Sequence, residues 1–420
     1  MKKLFDSFSW GSISAFMKVV AMLFFNKTAA VTFGPSGYLF VGNFQNFAQI
    51  AQNLSLLATN NSLVSSVARE DDLNSQDKAI GTVLTIVLFA SMFVSAACLF
   101  LSDTLADLIF NDLSKAFLLK IYSLALIFNC LFHIYMSKVN GLRLSHIYGF
   151  FNITSSVVLL LLCVLMLVSG YETLVIISIG VYPAVSFLIL VCLPRKYTLI
   201  NIPKSLFSID SHYLGIVKSF AAMAVISAVS VPVCQYLVRN MIAESISIDV
   251  AGGWEAMMRL SGAYLIVIMA TFNLYFLPAF SKIESTFDFN KERWNGIRLL
   301  VPLYIIGAVF LYVFAKPIIS ALFTEQFYDL VIPFLGWFLM ADLIKTFGLF
   351  YVYLMFAKTM TLRFCISEVF ASVNLVTLIY IAVNYEISIG AAYCCHMVIY
   401  LFLLRFLINK NKVFSQNEIN

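Results

Sequence analysis

What this 420-residue sequence has little of is charge. Asp, Glu, Lys and Arg make up 12% of it, about half the share of an average soluble domain, whereas 61% is hydrophobic. This balance excludes a soluble globular enzyme and predicts an integral membrane protein. Long polar stretches are scarce as well. The two longest breaks between apolar runs, 65–78 and 281–295, hold roughly fifteen residues each, too few to fold an extramembrane catalytic or nucleotide-binding domain. No phosphate-binding Gly-rich loop and no metal-binding helix motif is present, so any energy must come from an ion gradient or from the gradient of the substrate. The eight cysteines fall inside apolar runs without metal-ligand spacing and read as small packing residues. No metal and no cofactor is predicted. The net charge of +5 sits largely in short loops and is not a nucleic-acid footprint.

What the sequence does have is long apolar runs. A helix needs about 20 mostly apolar residues to cross the hydrocarbon core, and about twelve such runs occur: 9–32, 38–62, 79–101, 115–137, 147–168, 174–193, 212–238, 253–280, 297–318, 331–356, 361–383 and 387–408. The first is too long for a cleaved signal sequence and is not followed by a small-residue cleavage site, so it is expected to stay in the mature chain. Placing the N-terminus in the cytoplasm puts most loop Lys and Arg residues on that side. Only Lys115, Lys120, Arg239 and Lys316 fall on the other. That asymmetry predicts an even number of spans with both termini cytoplasmic.

A shift of 216 residues lays Gly37–Ile50 over Gly253–Ile266, each opening a span with Gly and an aromatic after a tight turn. The match is weak, and helix-start chemistry shared by chance is the alternative to duplication. Two six-helix halves, 1–210 and 211–420, are nevertheless the expected organisation, an arrangement common among transporters. The predicted class is therefore an all-α membrane protein of about twelve transmembrane helices in two six-helix bundles.

Charges inside spans then become informative, because a Lys, Arg or Asp at a helix centre costs roughly 2.5 to 3.5 kcal/mol on insertion scales and usually faces protein or a wet cavity. Asp342 and Lys345 lie mid-span on one helix face. They form either a self-neutralising pair or a site in which Lys345 offers charge to an anion and Asp342 carries a coupled ion. Lys18 lies mid-span with no acid within one turn and is expected to face a cavity. Lys27 is close enough to the outer end to snorkel. Arg259 follows Glu255 by one turn, so an intrahelical ion pair competes with a lumen-lining role shared with Asn273. Lys218 and Arg239 flank the seventh span and are expected near headgroups, with Pro232 kinking the helix between them.

The second span is amphipathic. Asn46, Gln49, Asn53 and Asn60 fall within about 60° of one another at helical spacing, and Asn43, Gln45 and Gln52 widen the stripe. Either a hydrated path or helix–helix hydrogen bonding uses such a stripe, and the number of amides favours the hydrated path. Glu368 completes the candidates for ion coupling. His133 and His396 read as packing residues.

Three segments resemble a known family: Phe16–Gly37, the GGW turn leading to Ala263–Ile283, and Ala341–Phe370. They look like the Wzx-type flippases of bacterial polysaccharide assembly, in the multidrug/oligosaccharidyl-lipid/polysaccharide exporter superfamily. The branch that moves the lipid-linked repeat of enterobacterial common antigen is most similar, with O-antigen flippases next. The resemblance implies a V-shaped pair of bundles around a cationic lumen that opens alternately to either side. Its implied cargo is an undecaprenyl-pyrophosphate-linked oligosaccharide, carried from the inner to the outer leaflet of the bacterial inner membrane, with a periplasmic polymerase or chain-length machinery as an expected partner. Lys18, Lys27, Asp342, Lys345, Lys358, Arg363 and Glu368 fit the family pattern. Arg259 departs from it, since relatives tend towards a polar or acidic residue there. Two alternatives stand beside this reading: a cation-coupled multidrug exporter of the same superfamily, and a membrane polysaccharide polymerase or ligase.

Overall fold

The computed structural model describes residues 2–57, 59–69, 72–142, 144–171, 173–194, 203–283, 285–358 and 360–409. Among these residues every regular element is a helix and no strand occurs. A backbone that must satisfy its own hydrogen bonds in lipid has little other choice. Nine helices among the described residues are long and apolar enough to cross a membrane. The chain is a multi-pass membrane protein.

The twelve predicted runs all lie on helices. The first two merge into α1, Lys2–Leu56, which is broken at Gly34, where φ is 63° and ψ is −172°. That conformation is open essentially to glycine alone, and Pro35 follows it, so the predicted outside turn is a sharp elbow inside one helical trace. The polar tail of the second run separates as the short α2, Thr59–Arg69. Next come α3 (Leu73–Phe100), the short α4 (Ser102–Phe110), α5 (Ala116–Gly141), α6 (Ser145–Val168) and α7 (Leu174–Cys192). The predicted seventh and eighth spans form α8 (Ser211–Ser245) and α9 (Ile248–Thr271). Their apolar runs are interrupted by Arg239 and by Glu255 and Arg259. A π-turn, Phe272–Phe276, joins α9 to the short α10, Leu277–Lys282. The rest of the chain forms α11 (Thr286–Val313), α12 (Ala315–Leu322), α13 (Gln326–Ala357), α14 (Thr361–Asn384) and α15 (Ile389–Asn409).

Two compact units result. One comprises Met1–Thr32 and Phe40–Pro232; the other comprises Phe33–Leu39 and Val233–Asn420. The elbow after α1's first segment is thus built into the second unit.

In the first unit α5 is the central helix, packed against α2, α3, α6 and α7. Lipid tails are as apolar as leucine, so burial alone cannot drive this assembly, and close packing and interhelical hydrogen bonds take over. Asn129 donates to the Gly180 carbonyl at 2.7 Å and the Tyr122 hydroxyl donates to the Ala48 carbonyl at 2.7 Å. Phe132, Tyr135, Met136, Val139, Phe151 and Leu190 form a buried cluster beside them. The segment 203–210 is fastened to the start of α3. The Asp77 carboxylate accepts from the backbone N–H groups of Lys204 at 3.1 Å and Ser205 at 3.0 Å, and Thr82 Oγ1 accepts from Asp210 N–H at 3.1 Å.

In the second unit α13 takes the central place, packed against α9, α11, α12, α14 and α15. Trp254 meets Phe334, Phe338 and Tyr393 edge-on, the quadrupole-favoured geometry. The Tyr304 hydroxyl on α11 donates to the Leu339 carbonyl of α13 at 2.6 Å.

Candidate functional site

The first unit holds one strong candidate from the sequence, Lys18. Helices α1, α5, α6 and α7 enclose a cavity of about 140 Å³ whose lining includes Lys18, His133, Asn152, Ser155, Ser156 and Tyr182. Lys18 is exposed and has no hydrogen bond or ion pair to any described residue. It lies within electrostatic reach of His133. Lys27, one half-turn out of phase and half-buried, does not line this cavity.

The amides of the second span divide between two uses. Asn43 is buried and donates to the Ile109 carbonyl at 3.3 Å, and Asn46, 8% exposed, donates to the Pro232 carbonyl at 3.1 Å. These are the helix–helix bonds that membranes reward. Gln49 is exposed and Asn53 half-buried, so the open part of the stripe lies nearer its later turns.

In the second unit Asp342 is fully buried, at 0% exposure. Its Oδ2 accepts from the Ser261 hydroxyl at 2.6 Å and from the Tyr264 hydroxyl, both on α9. Its Oδ1 has no hydrogen-bond partner among the described residues. Lys345 is half-buried, makes no ion pair with a described residue, and lies within electrostatic reach of Asp342, Glu368 and His396. Glu368 accepts from the Tyr400 hydroxyl at 3.2 Å. Adjacent on one helix face, Asp342 and Lys345 do not close on each other, because the carboxylate is turned to the two hydroxyls of α9.

Arg259 belongs to a separate cluster. Its Nε donates to Glu255 Oε1 at 2.9 Å, and Arg239 Nη1 donates to Oε2 of the same carboxylate. The Arg259 guanidinium lies over the Tyr38 ring, 4.8 Å from its centroid, a cation–π contact. Phe323 and Phe327 meet the same ring edge-on. The side chain of Asn273 lies outside the described residues; its backbone forms part of the π-turn.

Comparison with known proteins places these features in context. No protein-family model matches the chain. Lipid III flippases of Escherichia coli and Shigella flexneri are each 26% identical to it over 412 residues, covering 94% of this chain and 95% of theirs. Among solved structures, an inward-facing multidrug transporter of the MATE family superposes with a TM-score of 0.69 at 13% identity, covering 99% of both chains. The lipid II flippase MurJ, in an inward closed conformation, gives 0.69 at 16% identity over 98% of this chain and 90% of that one. A MOP-superfamily transporter of Pyrococcus furiosus, described as having a binding pocket of reversed polarity, gives 0.67 at 12% identity over 98% and 92%.

The chain shares the fold of these solved structures. At these identities the solved structures speak for the fold alone, and function has to be argued from the site.

The hub role of Glu255 and the place of Arg239 are not apparent in the sequence. Arg239, expected near headgroups at the end of its span, is instead 1% exposed and ion-paired within the second unit. The correction has a physical reason: a carboxylate one helix away compensates the guanidinium, so it need not snorkel. The Glu255–Arg259 spacing of four was a local signal for the pair. Ser261 and Tyr264 carried no signal, since their acidic partner lies 81 and 78 residues away.

Proposed function

We propose that this protein is a flippase for undecaprenyl-pyrophosphate-linked oligosaccharide, moving it from the cytoplasmic to the periplasmic leaflet of a bacterial inner membrane by alternating access. The observation that carries this reading is the similarity to proteins named lipid III flippase along nearly the whole chain, 94% of it. The chemistry of the spans supports it. A diphosphate brings concentrated negative charge through a low-dielectric region, and fixed cations replace the water it must leave. Lys18 in the first unit and Lys345 in the second are the basic side chains we assign to that task, with Arg259 and Lys27 as secondary contributors. Lysine suits transit because it is a compact point charge, whereas arginine holds phosphate in a bidentate clamp.

Gln49, Asn53 and Asn273 are assigned to glycan hydroxyls, and Asn46 to the wall that carries them. Asp342, with Glu368 as a second carboxylate, is assigned to ion coupling: a buried carboxylate held by two hydroxyl donors accepts or loses a proton at a defined atom. The working organisation is two six-helix halves, 1–210 and 211–420, with both termini in the cytoplasm. A periplasmic polymerase or chain-length protein would then receive the product. The protein acts as a transporter without covalent catalysis.

Deletion of the gene in its host, followed by assay of the leaflet in which the lipid-linked oligosaccharide accumulates, tests the proposal. Accumulation on the cytoplasmic side is the expected result. Accumulation of single repeats on the outer surface would instead indicate a polymerase, and gain or loss of resistance to cationic dyes alone would indicate a drug exporter.

A further inference from the structure

The start of α11 is fastened on one side. The Arg293 guanidinium donates to the Tyr351 hydroxyl of α13 and lies over the rings of Tyr351 and Phe289, 5.4 and 5.7 Å from their centroids. One turn on, Gly296 sits so close to Phe276 and Phe350 that an added Cβ would fall 2.6 Å from either ring. These contacts fix the rotation of the helix about its axis and turn the opposite face outward. That face carries Phe287, Lys291, Trp294 and Arg298, all exposed, within about 60° of one another at helical spacing.

Arg298 lies over the Trp294 ring, its guanidinium 5.6 Å from the centroid, and a guanidinium stacked in this way keeps N–H groups free to hold a phosphate bidentately. Neither Lys291 nor Arg298 makes an ion pair with a described residue. Of the described acids in these turns, Asp288 accepts from the capping Ser285 hydroxyl at 2.6 Å, and Glu292 lies about 100° round the helix from Lys291. The outward face is therefore cationic.

Depth along the helix decides what such a face meets. Between Arg298 and Lys316 the chain carries no charge, and Leu299–Val313 rises about 22 Å, most of the roughly 30 Å hydrocarbon core. Arg298 thus stands at the edge of the core, with Trp294 about 6 Å beyond it, inside a headgroup layer about 5 to 7 Å deep. Below Arg298 the same face continues through the exposed Ile305 and Val309, a path for an acyl chain. A soluble anion gains nothing from that apolar continuation, and an amphiphile does.

We infer that the outward face of α11 binds the headgroup of an anionic phospholipid, with its phosphodiester between Lys291 and Arg298 beside Trp294 and an acyl chain along Ile305 and Val309. The ligand is a lipid of the leaflet at the end of α11 expected to be cytoplasmic, where loop Lys and Arg accumulate. It is a constituent of the membrane and not the cargo, so the inference stands whether or not the flippase reading does.

The test places the purified full chain in phosphatidylcholine vesicles holding a rising fraction of phosphatidylglycerol, one of the two lipids being brominated near the glycerol end of its chains. Bromine quenches tryptophan on contact, and the fluorescence of the wild type minus that of Trp294→Phe isolates Trp294. Phosphatidylglycerol is expected to displace phosphatidylcholine beside Trp294 with a relative affinity of at least about tenfold, since each Lys or Arg near the surface contributes about a factor of five. Lys291→Gln and Arg298→Gln are each expected to lower that preference about fivefold, and the double variant to remove it. The wild-type measurement needs only the conservative Trp294→Phe blank, so a folding defect in a charge variant leaves the test standing. Equal quenching by the two lipids, a preference unchanged in the folded double variant, or displacement of phosphatidylglycerol by inorganic phosphate at constant ionic strength would overturn the site. So would a Trp294 that neither lipid quenches, the result expected if another protein covers this face.

Discussion

Tyr264 on α9 donates its hydroxyl proton to Oδ2 of Asp342 on α13, and Ser261, one turn earlier, donates to the same oxygen at 2.6 Å. The carboxylate is thereby turned away from Lys345, its neighbour on the same helix face. Two charges that look like a self-cancelling pair in the sequence are separated in their hydrogen bonding. This leaves Asp342 held by neutral donors and Lys345 without an ion-pair partner among the described residues.

That separation sets the first expectation. Asp342→Asn keeps the side-chain volume and an acceptor for Tyr264 but cannot carry a proton. Transport of lipid-linked glycan in proteoliposomes is expected to lose its dependence on an imposed proton gradient. Unchanged coupling would leave Asp342 a structural partner of α9.

Lys18→Ala and Lys345→Ala, made separately, are expected to abolish surface glycan while protein levels in the membrane hold, since neither lysine has an ion pair with a described residue whose loss would unfold its unit. Complementation of a deletion strain with immunoblotting of membranes reads both quantities. Normal glycan in both variants would remove the cationic sites from the mechanism.

Glu255 holds two guanidiniums, of Arg239 at 1% exposure and Arg259 at 11%. Glu255→Ala leaves both without their shared counter-charge, and breaking a buried pair in this way costs about 3 to 5 kcal/mol. A marked fall in the melting temperature of the purified protein is expected. Arg259→Ala, at the more open and cation–π-supported end, is expected to cost less than Arg239→Ala. Reversal of that order would contradict the burial argument.

The elbow supplies a contrast between two glycines. At Gly252 an added Cβ would fall 1.9 Å from the Pro35 carbonyl oxygen, whereas at Gly34 it would meet nothing within 4 Å. Gly34→Ala therefore carries only the backbone strain of φ 63°, about 1 to 3 kcal/mol. Gly252→Ala must displace the elbow itself. Lower expression and thermal stability are expected for Gly252→Ala than for Gly34→Ala, read by size-exclusion profiles after a heating series.

The membrane class, the positions of the apolar helical runs and the presence of Lys18, Lys345 and Asp342 within them are legible in the chain alone. Each depends on a local quantity: the length of an apolar run set against bilayer thickness, or the cost of a charge within it. The Gly-Pro elbow is legible as a turn for the same reason, because φ preferences belong to individual residues.

What the chain alone leaves open is which partner each polar group takes. Asn46 reaches Pro232 across 186 residues, Arg239 reaches Glu255 on the following helix, and Asp342 reaches back 78 residues to Tyr264. Periodicity places such groups on a helix face, but a face does not specify its neighbour. Packing among helices decides it: in lipid a buried polar group gains most by meeting another, and only the tertiary arrangement determines which one lies within reach. The sequence thus marked these charges as unusual in their apolar runs, and the fold holds Arg239 and Asp342 against named partners while Lys18 and Lys345 make no ion pair with a described residue.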